Sequence, residues 1–230
     1  MQLLVNLHED ELRTYHGEGY GTVRRTRGAA LSGAHTEPFG IDTAEQRAVV
    51  GVTFRPGGAF PFFAPGAGAI GGAHVELDAL WGGEGAQLRE RLLEATTPGA
   101  ILRTLEEVLL ARAVRPLAPT VVTAAVAALE ADVPVAEVTA RAGMSSKRFI
   151  RRFVEQVGLR PKQFACVRRF QRVLAALQRG RTVNWADVAL ACGYCDQAHR
   201  IHDFQAFSGV SPTAYRPRPG GHPNHVPAPL

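Results

Sequence analysis

Two stretches of this chain share one pattern: VAEVTARAGMSSKRFIRRFVEQVGLRPKQF (Val135–Phe164) and WADVALACGYCDQAHRIHDFQAFSGVSPTAY (Trp185–Tyr215). In each, a short apolar helix is predicted to end at a glycine, Gly143 or Gly193. A turn of a few residues follows, and a second helix begins at a polar residue. Ser145 or Ser146 in the first copy and Asp196 in the second are suitable N-caps, because their side-chain oxygens can accept from orphan backbone N–H groups. Each second helix carries an aromatic in its third turn (Phe153, Phe204), then Gly158 or Gly209, then Pro161 or Pro212. Glycine supplies the positive φ that a tight inter-helix turn needs. Two helices joined this way make a helix-turn-helix, and repetition of the whole pattern makes a tandem one.

Between the copies, Pro161–Gln178 places Phe164, Val167, Phe170, Leu174 and Leu177 in one apolar stripe at helical spacing. Its other faces carry Lys162, Arg168, Arg169 and Arg172. A rigid helix there would fix the separation of the two units, so that both enter successive major grooves about 34 Å apart. In the second helix of the first unit, Phe149 and Phe153 point inward at four-residue spacing. Lys147, Ile150 and Arg151 then face outward near the N-terminal end, the part that meets base edges. Ser146, Arg148 and Arg152 flank that face, and the two arginines suit phosphates. The matching outward positions of the second unit are Gln197, Ala198, His199 and His202. Gln197 can pair with adenine, and the histidines can serve phosphates or bases. The second helix is the less basic of the two and is expected to add less affinity.

Charge is distributed to match. From Leu117 onward the chain carries 15 Lys and Arg against 7 Asp and Glu, whereas residues 1–116 carry 11 against 14. The basic half is the one with the repeated motif, as expected if that half meets a polyanion. The length of 230 residues allows one large domain or two modest ones. At 46% hydrophobic and 20% charged, the composition is that of a globular chain. No apolar run is long enough to span a bilayer, which takes about 20 residues. The N-terminal MQLLVNLHEDEL has no basic region ahead of an apolar core, so it does not read as a secretory signal, and a cytoplasmic location is expected. Cys166, Cys192 and Cys195 are too few for a disulfide framework. The last two form C-x-x-C without the further ligands a zinc site needs, so neither metal nor cofactor is expected.

Residues 1–72 read as short strands punctuated by glycine, with candidates at Leu3–His8, Thr22–Thr26, Ala30–His35 and Val49–Phe54. Arg55-Pro56-Gly57-Gly58 reads as a tight turn, extended to Gly72 as a surface connection rather than a loop bordering a ligand pocket. From Val75 the period turns helical. Leu88, Leu92 and Leu93, then Ile101, Leu102, Leu105, Val108 and Leu109, recur at three- and four-residue spacing, as core or as a dimer seam. Thr97-Pro98 places a proline at the start of the second of these helices. Pro116–Pro119 is the expected boundary. The fold class is therefore α+β: a small β-rich domain with helices at 1–115, an all-α tandem helix-turn-helix domain at 119–218 with units at 135–157 and 185–208, and a flexible tail at 219–230.

Residues 119–216 resemble the DNA-binding domain of AraC/XylS-type transcription regulators, most specifically through D-V-A-x-x-x-G-Y-x-D-Q-A-H (Asp187–His199) and F-x-x-F-S-G-V-S-P-T-A-Y (Phe204–Tyr215). The resemblance implies seven helices in two units joined by a linker helix, with base-reading positions at Lys147, Ile150 and Arg151 and at Gln197, Ala198, His199 and His202. Arg200 departs from the buried Leu or Phe usual in the family, and would have to snorkel or pair with Asp203 or Asp187. His202 stands where many members have Arg. The N-terminal half resembles a domain often found ahead of this module, of unestablished function, through V-G-V-T-F-R-P-G-G-A (Val50–Ala59) and L-D-A-L-W-G (Leu77–Gly82). In similar proteins a further stretch precedes the part matching Met1–Glu11, which implies an incomplete, barrel-like half.

The expected function is thus sequence-specific binding of double-stranded DNA by a transcription regulator. The expected partners are a small-molecule effector in the N-terminal half, RNA polymerase in the case of an activator, and a second copy of the chain; no membrane is expected. Phe39, Phe54, Phe60, Phe62, Phe63 and Trp81 could line an effector pocket, with His35, His74 or Arg55 as polar partners. Two rivals remain: a non-specific architectural nucleic-acid-binding protein, and an enzyme targeted to DNA. The second finds no support in a G-x-S-x-G, Walker, H-E-x-x-H or dinucleotide motif.

Overall fold

The computed structural model describes residues 1–116, 118–179, 207–209 and 215. Strands β1 (Gln2–Asn6), β4 (Ala29–Ser32), β5 (Val49–Thr53) and β6 (His74–Glu76) form an antiparallel sheet in the order β5-β1-β4-β6. Strands β2 (Glu11–His16) and β3 (Thr22–Arg27) pair as a separate ribbon. Both sheets are open, and the molecule is α+β. Leu3 lies opposite Leu31 on one side and Val52 on the other, so β1 is an interior strand, as β4 is, with Leu3 and Val5 wholly inside.

Two strands lie outside the sequence reading. In β2 the alternating Leu12 and Thr14 turn inward, while Glu11 and Arg13 pair with each other on the other side and mask the strand as a charged stretch. In β6 only three residues pair with β4, too few for a period of two to be visible, so the helical onset falls after Glu76 rather than at Val75.

Helices α1 (Leu77–Trp81), α2 (Glu84–Glu94) and α3 (Pro98–Ala111) complete this half. Thr97 caps α3, its hydroxyl accepting from Ala100 N at 3.2 Å, with Pro98 in the first turn as the sequence indicates. Leu88, Leu92, Leu105, Val108 and Leu109 enter one core with Leu3, Val5 and Leu31, whereas Leu93 and Leu102 remain exposed. The stretch 55–72 is not a surface connection. Gly58 N donates to Arg55 O at 2.7 Å, closing the expected turn, but Ala59, Phe63, Ala67 and Ile70 beyond it are buried. Apolar side chains placed among small residues pull this loop inward.

The chain leaving α3 is tied back to that loop. Val114 N donates to Pro61 O at 2.9 Å, and the Arg115 guanidinium donates to the carbonyls of Phe60, Phe63 and Ala64 while lying 4.1 Å from the Phe60 ring centroid. Helices α4 (Val121–Glu130), α5 (Val135–Arg141), α6 (Ser146–Val157) and α7 (Pro161–Gln178) then build a second core. Val122, Val126, Leu129 and Val138 pack there with Phe149, Phe153, Val157 and Phe164. The α7 stripe is buried at Phe164, Phe170 and Leu174, and Phe170 meets Phe207 with ring centroids 5.3 Å apart. Among the described residues no helix is long and apolar enough to cross a membrane.

Candidate nucleic-acid interface

Helix α5 ends at Arg141, and Gly143 takes φ 64° in the turn that follows, the left-handed conformation that a side chain would disfavour. Ser145, rather than Ser146, caps α6, with its Oγ accepting from Arg148 N at 3.4 Å. At the far end Gly158 closes the helix at φ 87°. Phe149, Phe153 and Val157, one turn apart, are buried. Phe149 and Phe153 lie 5.8 Å apart between ring centroids, and Phe153 meets Phe164 of α7 edge-on at 5.6 Å. That row fixes the rotation of α6, so Ser146, Lys147, Arg148, Ile150, Arg151 and Arg152 all face solvent. Ile150 is 39% exposed, an apolar side chain set among cations.

Charge separates these residues from the other basic ones. Arg141 is paired with Glu137 of its own helix. Arg168 pairs with Glu130 at 3.0 Å, and Arg169 and Arg172 converge on Asp132 at 3.0 and 2.5 Å. Partial burial raises the Asp132 carboxyl, but hydrogen bonds from Arg172 and Arg169, with their charges, outweigh it and hold the group below the ordinary aspartate value. Arg168, Arg169 and Arg172, which the sequence places on the faces of α7 away from its apolar stripe, therefore lock α7 to the end of α4 and the turn after it. Among the described residues no ion pair engages Lys147, Arg148, Arg151 or Arg152. Lys147 and Arg148 stand in the first turn of α6, where the helix dipole is positive and disfavours cations.

The aromatic group proposed to line an effector pocket divides in two. Phe54, Phe62, Phe63 and Trp81 pack in the first core, Phe63 stacked on Trp81 at 5.2 Å and the Trp81 indole N–H donating to Phe62 O at 3.2 Å. Phe60 is covered by Arg115, and Arg55 is exposed. Phe39 stands apart with His35 and His74. A cleft of about 660 Å³ opens elsewhere, between α5, α6 and the start of α7, where Ile150, Arg160 and Lys162 border it and Thr36 reaches in from the N-terminal half.

Of the second unit, Gln197, Ala198, His199, Arg200 and His202 lie outside the described residues, as do Cys192, Cys195 and the tail at 219–230. Cys166 is buried in α7. Among the described residues no three His, Cys, Asp or Glu side chains are grouped as metal ligands.

Residues 138–218 match a family model described as a helix-turn-helix domain, of the AraC type. This segment is a DNA-binding helix-turn-helix domain of the AraC type. Its N-terminal residues 1–76 match a domain of unknown function, DUF6597, which ends with β6. No curated protein matches the chain. The AraC-type match begins at Val138 in α5 and takes in α6, so the exposed cations of α6 fall inside the DNA-binding family segment.

One feature of the AraC-type unit lay outside the sequence reading. The loop Ala64–Ala73 packs its glycines on the C-terminal half of α6: a Cβ on Gly66 would fall 2.8 Å from Glu155 O, and one on Gly68 2.8 Å from Val154 Cγ1. The signal was the run APGAGAIGGA itself, whose lack of side chains permits such an approach.

Proposed function

We propose that the protein reads specific DNA sequences with α6 laid in a major groove. Lys147, Ile150 and Arg151 face base edges in this reading, while Ser146, Arg148 and Arg152 meet phosphates. The observation that carries it is the set of exposed cations, without ion pairs among the described residues, on the N-terminal half of a helix whose opposite face is buried. Arg151 has the fork geometry for guanine, and Ile150 offers an apolar contact for a thymine methyl. A second recognition helix bearing Gln197, Ala198, His199 and His202 would occupy the next groove, spaced by α7, on a domain running from 119 to 218. The 1–115 half would sense an effector or join two copies, and RNA polymerase would be the further partner of an activator. This reading places the protein in the cytoplasm, with DNA.

Selection from a randomised duplex library at physiological salt tests the proposal. Enrichment of a motif with two half-sites about one helical turn apart is expected. A motif of half that length would assign reading to one unit alone. Equal binding of all sequences, lost steeply as salt rises, would instead identify a non-specific architectural protein.

A further inference from the structure

The N-terminal half meets the first reading unit through a loop stapled by two backbone hydrogen bonds. Gly33 N donates to Ala73 O at 2.8 Å, and Gly72 N donates to Ala34 O at 2.9 Å. Ala34 packs on the second core, and with Ala67 it closes over Gly158, where a Cβ would lie 3.3 Å from Ala34 Cβ and 3.2 Å from Ala67 O. A histidine follows each stapled alanine: His35 after Ala34, and His74 after Ala73. Their rings lie 4.9 Å apart, and the Phe39 ring touches both, at 4.7 Å from His35 and 5.0 Å from His74. Ser32 Oγ is 3.2 Å from His35 Nε2, and His16 stacks on Phe39 at 6.0 Å. The same segment carries Pro38, whose ring lies 3.3 Å from a Cβ built on Gly209 of the second unit's Phe-Ser-Gly motif.

We propose that this histidine cluster is an acid-released latch holding the glycine loop, and with it the N-terminal half, on the first helix-turn-helix unit. Both imidazoles are neutral in the latched form. Burial, followed by the charge of His16 and of the Met1 amino group before β1, lowers His35 to about 4. Burial, followed by His35, His16 and Arg24 of β3, lowers His74 to about 4. Glu37 is the acidic group beside the cluster, acting on His16, and from α6 Glu155 meets the loop at Gly66. A proton on either ring would place a cation against its neighbour and against the Phe39 ring, within a half-buried site surrounded mainly by positive groups. Opening the latch returns the rings to water, where they protonate near the ordinary value of 6.5. The latch is therefore complete above that value and loosens as pH falls from it toward 4. At pH 5, release is favoured by about 20-fold for each histidine relative to neutral pH.

Hydrogen exchange on the full chain at pH 7.5 and 5.0, corrected for intrinsic rates, tests this without DNA. At pH 5.0, amides of 33–40, 66–73 and 154–158 should lose protection while those of Leu3–Val5 keep it. His35→Phe/His74→Phe, which retains ring packing and removes both protons, should abolish that loss, and each single replacement should halve it on a logarithmic scale. Unchanged protection at pH 5.0 overturns the proposal. So does a loss shared by β1, or one that persists in both single variants and the double variant.

Discussion

Lys147 and Arg148 occupy the turn of α6 where a helix gains most from acidic side chains, and α6 has none there. Their placement works against the helix and in favour of a phosphate or a base. Lys147→Glu should therefore raise Tm, by roughly 1–3 °C, while weakening DNA binding. Melting curves and binding isotherms at one salt concentration check both halves, and a lowered Tm would assign Lys147 a structural task instead. Arg151 lies one turn further along, on the same exposed face. Arg151→Ala should cost about 1–3 kcal/mol of binding and relax the preference at a single base pair, visible when the selected motif is compared with that of the unaltered chain. Equal weakening on all sequences would make Arg151 a phosphate contact.

At the scale of elements, α6 is held by its aromatic row. Phe153 is fully buried between Phe149 and Phe164, so Phe153→Ala should destabilise the protein by about 3–5 kcal/mol, measured by denaturant unfolding. A cost below 1 kcal/mol would mean that the second core collapses around the gap. This row was legible in the sequence because four-residue spacing is a local signal, as were the cap before α6, the glycine turn and the stripe of α7. Strand β2 was not, because its charged residues are matched by partners from other segments: Arg25 across the ribbon reaches Glu11, and Glu45 reaches Arg13 at 2.8 Å. Hydrogen bonds from Arg13 and Arg25 hold the Glu11 carboxyl below the ordinary glutamate value. Arg169 and Arg172 show the converse. The sequence places them on a face of α7, and only folding brings Asp132, in the turn after α4, against them. Spacing reports which face a residue occupies; which charges meet on that face depends on distant chain.

Across the whole molecule, the two halves are joined by backbone fit. Gly66 and Gly68 lie against α6, Arg115 fastens the connection after α3 to the loop carrying Phe60 and Phe63, and Ala34 enters the second core. Such a junction couples the opening of one half to that of the other, as a flexible tether would not. Native-state hydrogen exchange should then give similar opening free energies for amides of β1 and for those of α6 around Phe153. Gly68→Val should separate them, because its Cβ would fall 2.8 Å from Val154 Cγ1 and 3.1 Å from Val154 O, and the loop can accommodate the side chain only by lifting off the helix. Gly83→Ala is the control, since a Cβ there meets nothing within 4 Å. If β1 and α6 stay matched in Gly68→Val, the glycine loop is packing without coupling, and whatever the N-terminal half senses must reach α6 by another route.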